Sequence, residues 1–283
     1  MTDISKSSSA SLFLPMFEGF RAELDEHHDR RERVIKASRD ITAASKKIIF
    51  SLQRIKKLNE PIPNFVTKAN AQHWDNIAKQ YKTISPDLQD LNTHRYERNI
   101  TGGNQELMES LSFQHYLSTQ TLISYDDACA KVSELSEKGK PVQLSIEDYV
   151  LGIFDMVGEL MRFAITAMAT GGELPGGSST STENRKVADE DTMEVDSEEK
   201  RSLPPRNALS DMRELRTYLE YLEVPRGTYF GKDVDKKMEV MRTCVEKVEN
   251  ALYGLVVRGS ERPKGWIPEF TGSSRGPEPV EAV

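Results

Sequence analysis

Apolar positions recur at alternating intervals of three and four along most of this chain, and the first run is the longest. Positions 17, 20, 24, 27, 31, 34, 38, 41, 45, 48, 52 and 55 form one unbroken stripe, occupied by Phe17, Phe20, Leu24, His27, Arg31, Val34, Ser38, Ile41, Ser45, Ile48, Leu52 and Ile55. The stripe is apolar at its ends and mixed in its middle. It predicts a helix of roughly 40 residues, about 60 Å long at 1.5 Å per residue. Helices of that length belong to bundles, coiled coils or helical solenoids. Pro61 and Pro63 end it.

The rest of the chain keeps the helical period. A second helix is expected from about Phe65 to Tyr81, with Trp74, Ile77 and Tyr81 on one stripe. Ser85-Pro86 reads as a fresh start, Ser85 capping and Pro86 at the first helical position, continuing through Tyr96 towards Asn99. Gly102-Gly103 reads as a break, and a new helix follows to about Thr121. Ser124 caps a shorter helix through Ser136, with Asp126 and Asp127 in its first turn, and Gly139-Lys140-Pro141 interrupts. Ser145 caps a helix to about Met168, with Asp148 in the capping-box position. Its core stripe is Ile146, Val150, Ile153, Val157, Leu160 or Met161, and Ala164. A second stripe runs Asp148, Gly152, Asp155, Glu159, Arg162, Thr166. Helices resume at 207–223 and 232–257, the last with Met238, Met241, Val245, Val248, Leu252 and Leu255 inward, and Trp266 is expected to fold back onto them. No alternating strand pattern and no internal repeat appear. The fold class is all-α.

Between these helices lies a different composition. Residues 171–206 are rich in Gly, Ser, Thr and Glu, with eight acids from Glu183 to Glu199, and read as a disordered acidic insert. Such an insertion interrupts a domain at little thermodynamic expense. Residues 1–14 read as a disordered lead and 271–283 as a disordered polar tail. No apolar run approaches the roughly 20 residues that span a bilayer, and the Ser-rich start lacks the apolar core of a secretory signal. Two cysteines, Cys129 and Cys244, stand far apart with no metal or redox spacing. These features set the expectation of a cytoplasmic and nuclear protein without a membrane partner.

Charge changes the picture locally. The formal net charge is −7, yet ten basic residues against two acids lie between Arg30 and Lys57. Arg31, Arg39, Lys46, Lys47 and Arg54 belong to this stretch. It suits phosphate contacts on RNA or DNA, and equally an import signal or a solvated face that meets an acidic partner.

The acids are paired. Glu106 and Glu109 are three apart, so they share a helical face, and Phe113 and Tyr116 continue that stripe. Asp155 and Glu159 are four apart on the later helix. Two such pairs on adjacent helices can hold a hard divalent cation such as Mg²⁺, which takes oxygen ligands and keeps several waters. Glutamates at this spacing are also ordinary surface features, and Glu159 can pair with Arg162 in the same helix. His115 shares the helix of the first pair, with substrate contact or packing behind the acids as its two readings. No nucleophile elbow and no glycine-rich phosphate loop appear, which leaves serine hydrolase and nucleotide-dependent chemistry without support.

Several stretches then resemble a known family. They are Phe20-Arg-Ala-Glu-Leu-Asp-Glu-His-His-Asp-Arg with Ser38-Arg-Asp-Ile-Thr, Ser112-Phe-Gln-His-Tyr, Glu147-Asp-Tyr-Val-Leu-Gly-Ile with Gly158-Glu-Leu-Met-Arg, and Val248-Glu-Asn-Ala-Leu-Tyr-Gly-Leu-Val-Val-Arg-Gly-Ser-Glu. In this order they are similar to the translin family, and to its catalytic branch rather than to translin itself, which lacks the full acidic set. The likeness covers about residues 17–265 without the insert. It implies a roughly seven-helix bundle or α-α superhelix with a very long first helix, one translin-like domain over 15–270. It implies assembly with translin into a closed, hetero-octamer-like shell. It implies a Mg²⁺-dependent endoribonuclease, with Mn²⁺ able to replace Mg²⁺. Substrates would be single-stranded or nicked RNA, as passenger-strand fragments or transfer-RNA precursor leaders. The family's catalytic and metal-binding carboxylates fall on Glu106, Glu109, Asp155 and Glu159, all acids here. Arg31, Arg39, Lys46, Lys47, Arg54 and His115 are the candidates for RNA contact, with DNA as an alternative ligand. The rival reading is a non-catalytic helical scaffold that binds RNA or DNA and stabilises translin.

Overall fold

A computed structural model describes residues 13–176, 206–225 and 227–258. Seven α-helices occur there: α1 (Leu14–Leu52), α2 (Asn64–Ile84), α3 (Leu91–Thr119), α4 (Tyr125–Leu135), α5 (Ile146–Gly171), α6 (Ala208–Glu220) and α7 (Tyr229–Arg258). Among the described residues there is no β-strand beyond an isolated bridge from Glu137 to Lys140. No described helix is long and apolar enough to cross a membrane. The expected disorder at 1–12, through most of the insert (177–205) and in the tail, and the placement of Trp266, fall outside the described residues.

The chain sorts into two compact units. The first comprises the described residues up to Ile55 together with Glu60–Met156, the second Lys56–Asn59 and the described residues from Val157 onward. Helix α5 runs through the division without interruption.

In the first unit α1 packs along α2 and α3. The long first helix is 39 residues, but its apolar stripe is only half used. Val34, Ile41, Ile48 and Leu52 are fully buried, whereas Phe17, Phe20 and Leu24 are exposed. The periodicity was the same throughout; what differs is that α2 and α3 cover only the later turns. Ser45 and Ser51 are buried on the same helix.

Two expected boundaries move. Ser85 does not open a helix: it ends α2, is fully buried, and its hydroxyl donates to the Tyr81 carbonyl at 2.7 Å. A single 3-10 turn, Ser85–Asp87, follows, and α3 begins at Leu91. Gly102-Gly103 does not break α3, which is continuous for 29 residues. A Cβ on Gly103 would lie 3.1 Å from both the Cα and the carbonyl oxygen of Ser38, so the glycine is there for close approach to α1. The Gly103 N–H donates to Ser38 Oγ at 3.0 Å, and Thr42 donates to the Gly102 carbonyl at 3.4 Å. The helical penalty of about 1 kcal/mol for glycine is offset by these contacts.

Other starts fall where expected. Ser124 accepts from the Asp127 N–H at 3.1 Å to cap α4, and Ser145 accepts from Asp148 N–H at 3.0 Å at the start of α5. On α5, Ile153, Val157, Leu160 and Ala164 are core residues, but Ile146 is exposed because it sits in the first turn.

In the second unit, α6 packs on α7. Asn207 and Ser210 form a reciprocal capping box at its start. Arg213 bonds Glu249 at 2.7 Å, and Glu220 accepts from Arg242 at 2.7 Å and Arg216 at 3.1 Å. The Ala208 N–H donates to the Pro175 carbonyl at 2.9 Å, so the insert leaves and returns at one point.

Candidate functional site

Helix α3 carries the first acid pair, and two neighbouring helices fix its position. On one side α1 delivers Ser38, Thr42 and Lys46 at successive turns. Lys46 Nζ lies 3.2 Å from Glu106 Oε1, so the basic stretch meets the acid pair there. On the other side lies the first half of α5. Asn104 donates to Asp148 at 2.9 Å and Gln105 donates to its other oxygen at 3.3 Å. One turn on, Gly152 is buried against α3. A Cβ there would lie 2.5 Å from Met108 Cβ, 3.0 Å from the Gln105 carbonyl oxygen and 3.4 Å from the Glu109 nitrogen. The two helices thus run in the same direction, in register from Asn104 with Asp148 to Glu109 with Gly152. Asp155 follows Gly152 by three residues, and helical side chains lean towards the N-terminus. Asp155 lies on the same stripe of α5 as Gly152.

Glu106, Glu109 and Asp155 are each half-buried. Glu159, the first acid of α5 beyond the division, is 5% exposed and accepts from Arg162 at 2.5 Å. Among the described residues no group of three or more His, Cys, Asp or Glu is gathered as a ligand set. The donor type nonetheless suits a hard divalent cation: all four are carboxylates, three half-buried and Glu159 buried. Lys46 and Arg162 occupy positive positions beside two of the four.

The face of α3 opposite Glu106 and Glu109 is also polar, and sequence reasoning missed it. Tyr81 donates to Asn104 Oδ1 at 2.8 Å, and Asn104 in turn holds Asp148. All three are almost fully buried. Burial pushes the Asp148 carboxyl above its ordinary range, against the lowering effect of its hydrogen bonds from Asn104, Gln105, Thr101 and Ser145. The Tyr81 hydroxyl is raised by burial and by the Asp148 charge. The signal for this seam was present in the second stripe of α5, where one glycine sits among acids. An isolated glycine inside a helical pattern often marks close packing.

The basic residues divide. Arg33 makes a bidentate pair with Asp87 at 2.8 and 2.9 Å, and Arg30 approaches the same acid at 3.3 Å, so these two serve the fold. Arg31, Arg39, Lys46, Lys47 and Arg54 are exposed, and Arg54 lies over the Phe65 ring at 5.2 Å. His115 is half-buried, with Nε2 3.1 Å from the Thr121 hydroxyl.

An all-α chain with a very long first helix, parallel α3 and α5 in close contact and an acid pair on each defines the class. The chain belongs to the translin family, whose model matches residues 29–259. It is 30% identical over 280 residues to translin-associated protein X of Mus musculus, covering 92% of this chain and 84% of that protein. It is 27% identical to the translin-associated protein X homolog of Schizosaccharomyces pombe, covering 87% and 89%. Among solved structures it superposes on AfC3PO in its complex with duplex RNA with a TM-score of 0.54 at 16% identity, covering 87% of this chain and all of that one. The seven-helix translin-type fold is thereby established for this chain.

Proposed function

We propose that this chain is the Mg²⁺-dependent endoribonuclease subunit of a hetero-oligomer with translin, acting on single-stranded or nicked RNA. The observation that supports the reading is the close approach of Gly152 to the Met108–Glu109 turn, which brings the helix of Asp155 against the helix of Glu106 and Glu109. Membership of the family and the RNA-bound fold relative support it. Glu106, Glu109 and Asp155 would hold the cation; Glu159 follows Asp155 by four residues on α5. The chemistry a bound divalent cation supplies is a water of lowered pKa and neutralisation of charge developing at phosphorus. The exposed Arg31, Arg39, Lys47 and Arg54 bind the RNA backbone, a salt-sensitive contact. Lys46, within that track, lies beside Glu106, where it draws a phosphate towards the acids. His115 stands one to two turns further along α3 as a lesser RNA contact.

The test is Mg²⁺-dependent cleavage of a fluorogenic RNA by the complex with translin. Glu109→Ala and Asp155→Ala should each lower the rate by at least about 100-fold, on the order of 2.7 kcal/mol in the barrier, while assembly by gel filtration is retained. Full activity in either variant rejects the reading.

A specific observation favours a second reading. Glu106 and Glu159 already have cation partners in Lys46 and Arg162, as expected of a scaffold that binds RNA without cutting it. That reading requires RNA binding with a steep salt dependence and equal RNA integrity with Mg²⁺ and with chelator.

A further inference from the structure

From Lys36 onward the solvent side of α1 is mostly cationic. Its exposed positions are Lys36, Arg39, Ala43, Lys46, Lys47 and Phe50, and Arg54 continues them just past the helix end. Phe50 is the one large apolar side chain among them, and it is 77% exposed. Lys46 and Lys47 precede it by four and three residues and Arg54 follows it by four, so all three border it on one helical face. No acid occurs in the sequence between Asp40 and Glu60; Glu106 of α3 reaches this face at Lys46. The exposed Phe17, Phe20 and Leu24 at the start of the helix differ, since Glu18, Glu23, Asp25 and Glu26 stand among them. A second ring adjoins Phe50's neighbour. Phe65, in the first turn of α2 and 50% exposed, lies under the Arg54 guanidinium at 5.2 Å. That cation–π contact holds the planar guanidinium in place.

An aromatic face set among cations fits a strand of bases and phosphates better than it fits a protein surface. Lysine is depleted from protein interfaces. Single strands, by contrast, are held by cations along the backbone and by bases stacked on aromatic rings or arginine planes. In a duplex the bases are already stacked on one another, which closes their faces to a side chain. We propose that Phe50 and the Arg54–Phe65 pair form a stacking platform for unpaired RNA bases, which gives the basic track of α1 a preference for single strands over duplex. The inference rests on the RNA-binding part of the reading above and is independent of any metal.

The experiment is fluorescence anisotropy of a labelled single-stranded RNA, and of the corresponding duplex, with the translin complex over a salt series. Phe50→Leu keeps an apolar side chain but has no π-face. It should weaken the single strand by about tenfold and the duplex by less than about twofold. Its slope of log affinity against log salt should match wild type, because no charge is removed. Arg39→Ala is the contrast and should lower that slope by about 1. Phe50→Trp should bind the single strand like wild type, and a Trp variant no better than the Leu variant overturns the platform. So does equal weakening of both RNAs by Phe50→Leu, no weakening of either, or a slope change equal to that of Arg39→Ala. Loss of assembly with translin in Phe50→Leu would assign the ring to a protein interface and overturn it too. A wild-type complex that binds neither RNA defeats the RNA reading itself, and the platform with it.

Discussion

Helix α3 is held by two seams built from similar parts and used differently. Towards α1 the glycine is its own: Gly103 sits on the Ser38 backbone, with Ser38 and Thr42 supplying hydroxyls. Towards α5 the glycine belongs to the partner helix: Gly152 sits on Met108 and Gln105, with Asp148 accepting from two amides. Each seam holds a carboxylate, and the two differ in fate. Glu106, on the α1 seam, is half-buried and faces a lysine. Asp148, on the α5 seam, is almost fully buried and has neutral donors only among its hydrogen bonds. A charge that stays near water can be matched by an exposed cation. One taken into the core needs several fixed dipoles instead, and its proton affinity rises all the same. The α1 seam is therefore adjustable in charge, and the α5 seam is fixed in geometry.

The largest effect is expected where the α1 seam is tightest. Valine at 103 would bring three carbons against a backbone that cannot rotate away, at 3.1 Å already for the first of them. Gly103→Val should lose about 3 kcal/mol of stability, read as a lower urea midpoint. Gly102→Val is the control. Its Cβ would meet only Ser38 Oγ, at 3.9 Å, so its loss should stay near the value for a mid-helix substitution, under about 1 kcal/mol. Equal losses at the two positions would show that the seam does not depend on close approach.

That pair of glycines also shows what the sequence could and could not disclose. The helical period located the stretches that form the seven described helices, because apolar residues every three to four positions leave few other folds open. It misread Gly102-Gly103 as a break, since glycine ends helices and also lets them touch, and only the partner backbone distinguishes the two. Ser85-Pro86 was misread for a related reason: a buried serine can return its hydroxyl to its own helix as readily as cap the next. The exposed first turns of α1 follow the same stripe as its buried turns, and nothing local marks where α2 and α3 stop covering it. For the site, the sequence put each acid pair on one face and the resemblance said that the faces meet. The Gly152 contact brings the two helices together, while no group of three or more acids is gathered as a ligand set among the described residues. The Tyr81–Asn104–Asp148 network escaped notice because its members come from three helices and none is unusual alone.

The second prediction sharpens the contrast between the two carboxylates through pH. Burial raises the Asp148 pKa in the folded chain. Between the ordinary carboxylate value and that raised value, the native state keeps a proton the unfolded chain has released. Stability from this group therefore increases as pH falls through the window and is lost as pH rises through the folded pKa. Asp148→Asn cannot titrate. Urea unfolding from pH 7 to pH 4 should show wild type gaining on Asp148→Asn as the pH is lowered. A constant gap would mean that the carboxyl is as readily ionised in the core as in the unfolded chain.

The smallest effect on stability, and the most telling for function, is expected at Lys46. Its side chain is 64% exposed, so its pair with Glu106 is screened by solvent and should be worth less than about 1 kcal/mol to the fold. Lys46→Ala should leave the urea midpoint nearly unchanged. If the α1 seam serves the carboxylates, two ligands should respond in opposite directions. Removing a competing cation from Glu106 should tighten Mg²⁺ by about two- to fivefold at low salt, an effect within the range of one exposed charge pair. Removing a phosphate partner should weaken RNA and reduce the slope of log affinity against log salt by about 1. Calorimetry for the ion and a salt series for the RNA read these separately. Opposite shifts would make Lys46 the junction between the basic track and the acids. Loss of RNA binding with no change in Mg²⁺ would leave it a phosphate contact of the kind proposed for Arg39 and Lys47. The α1 seam would then be purely structural.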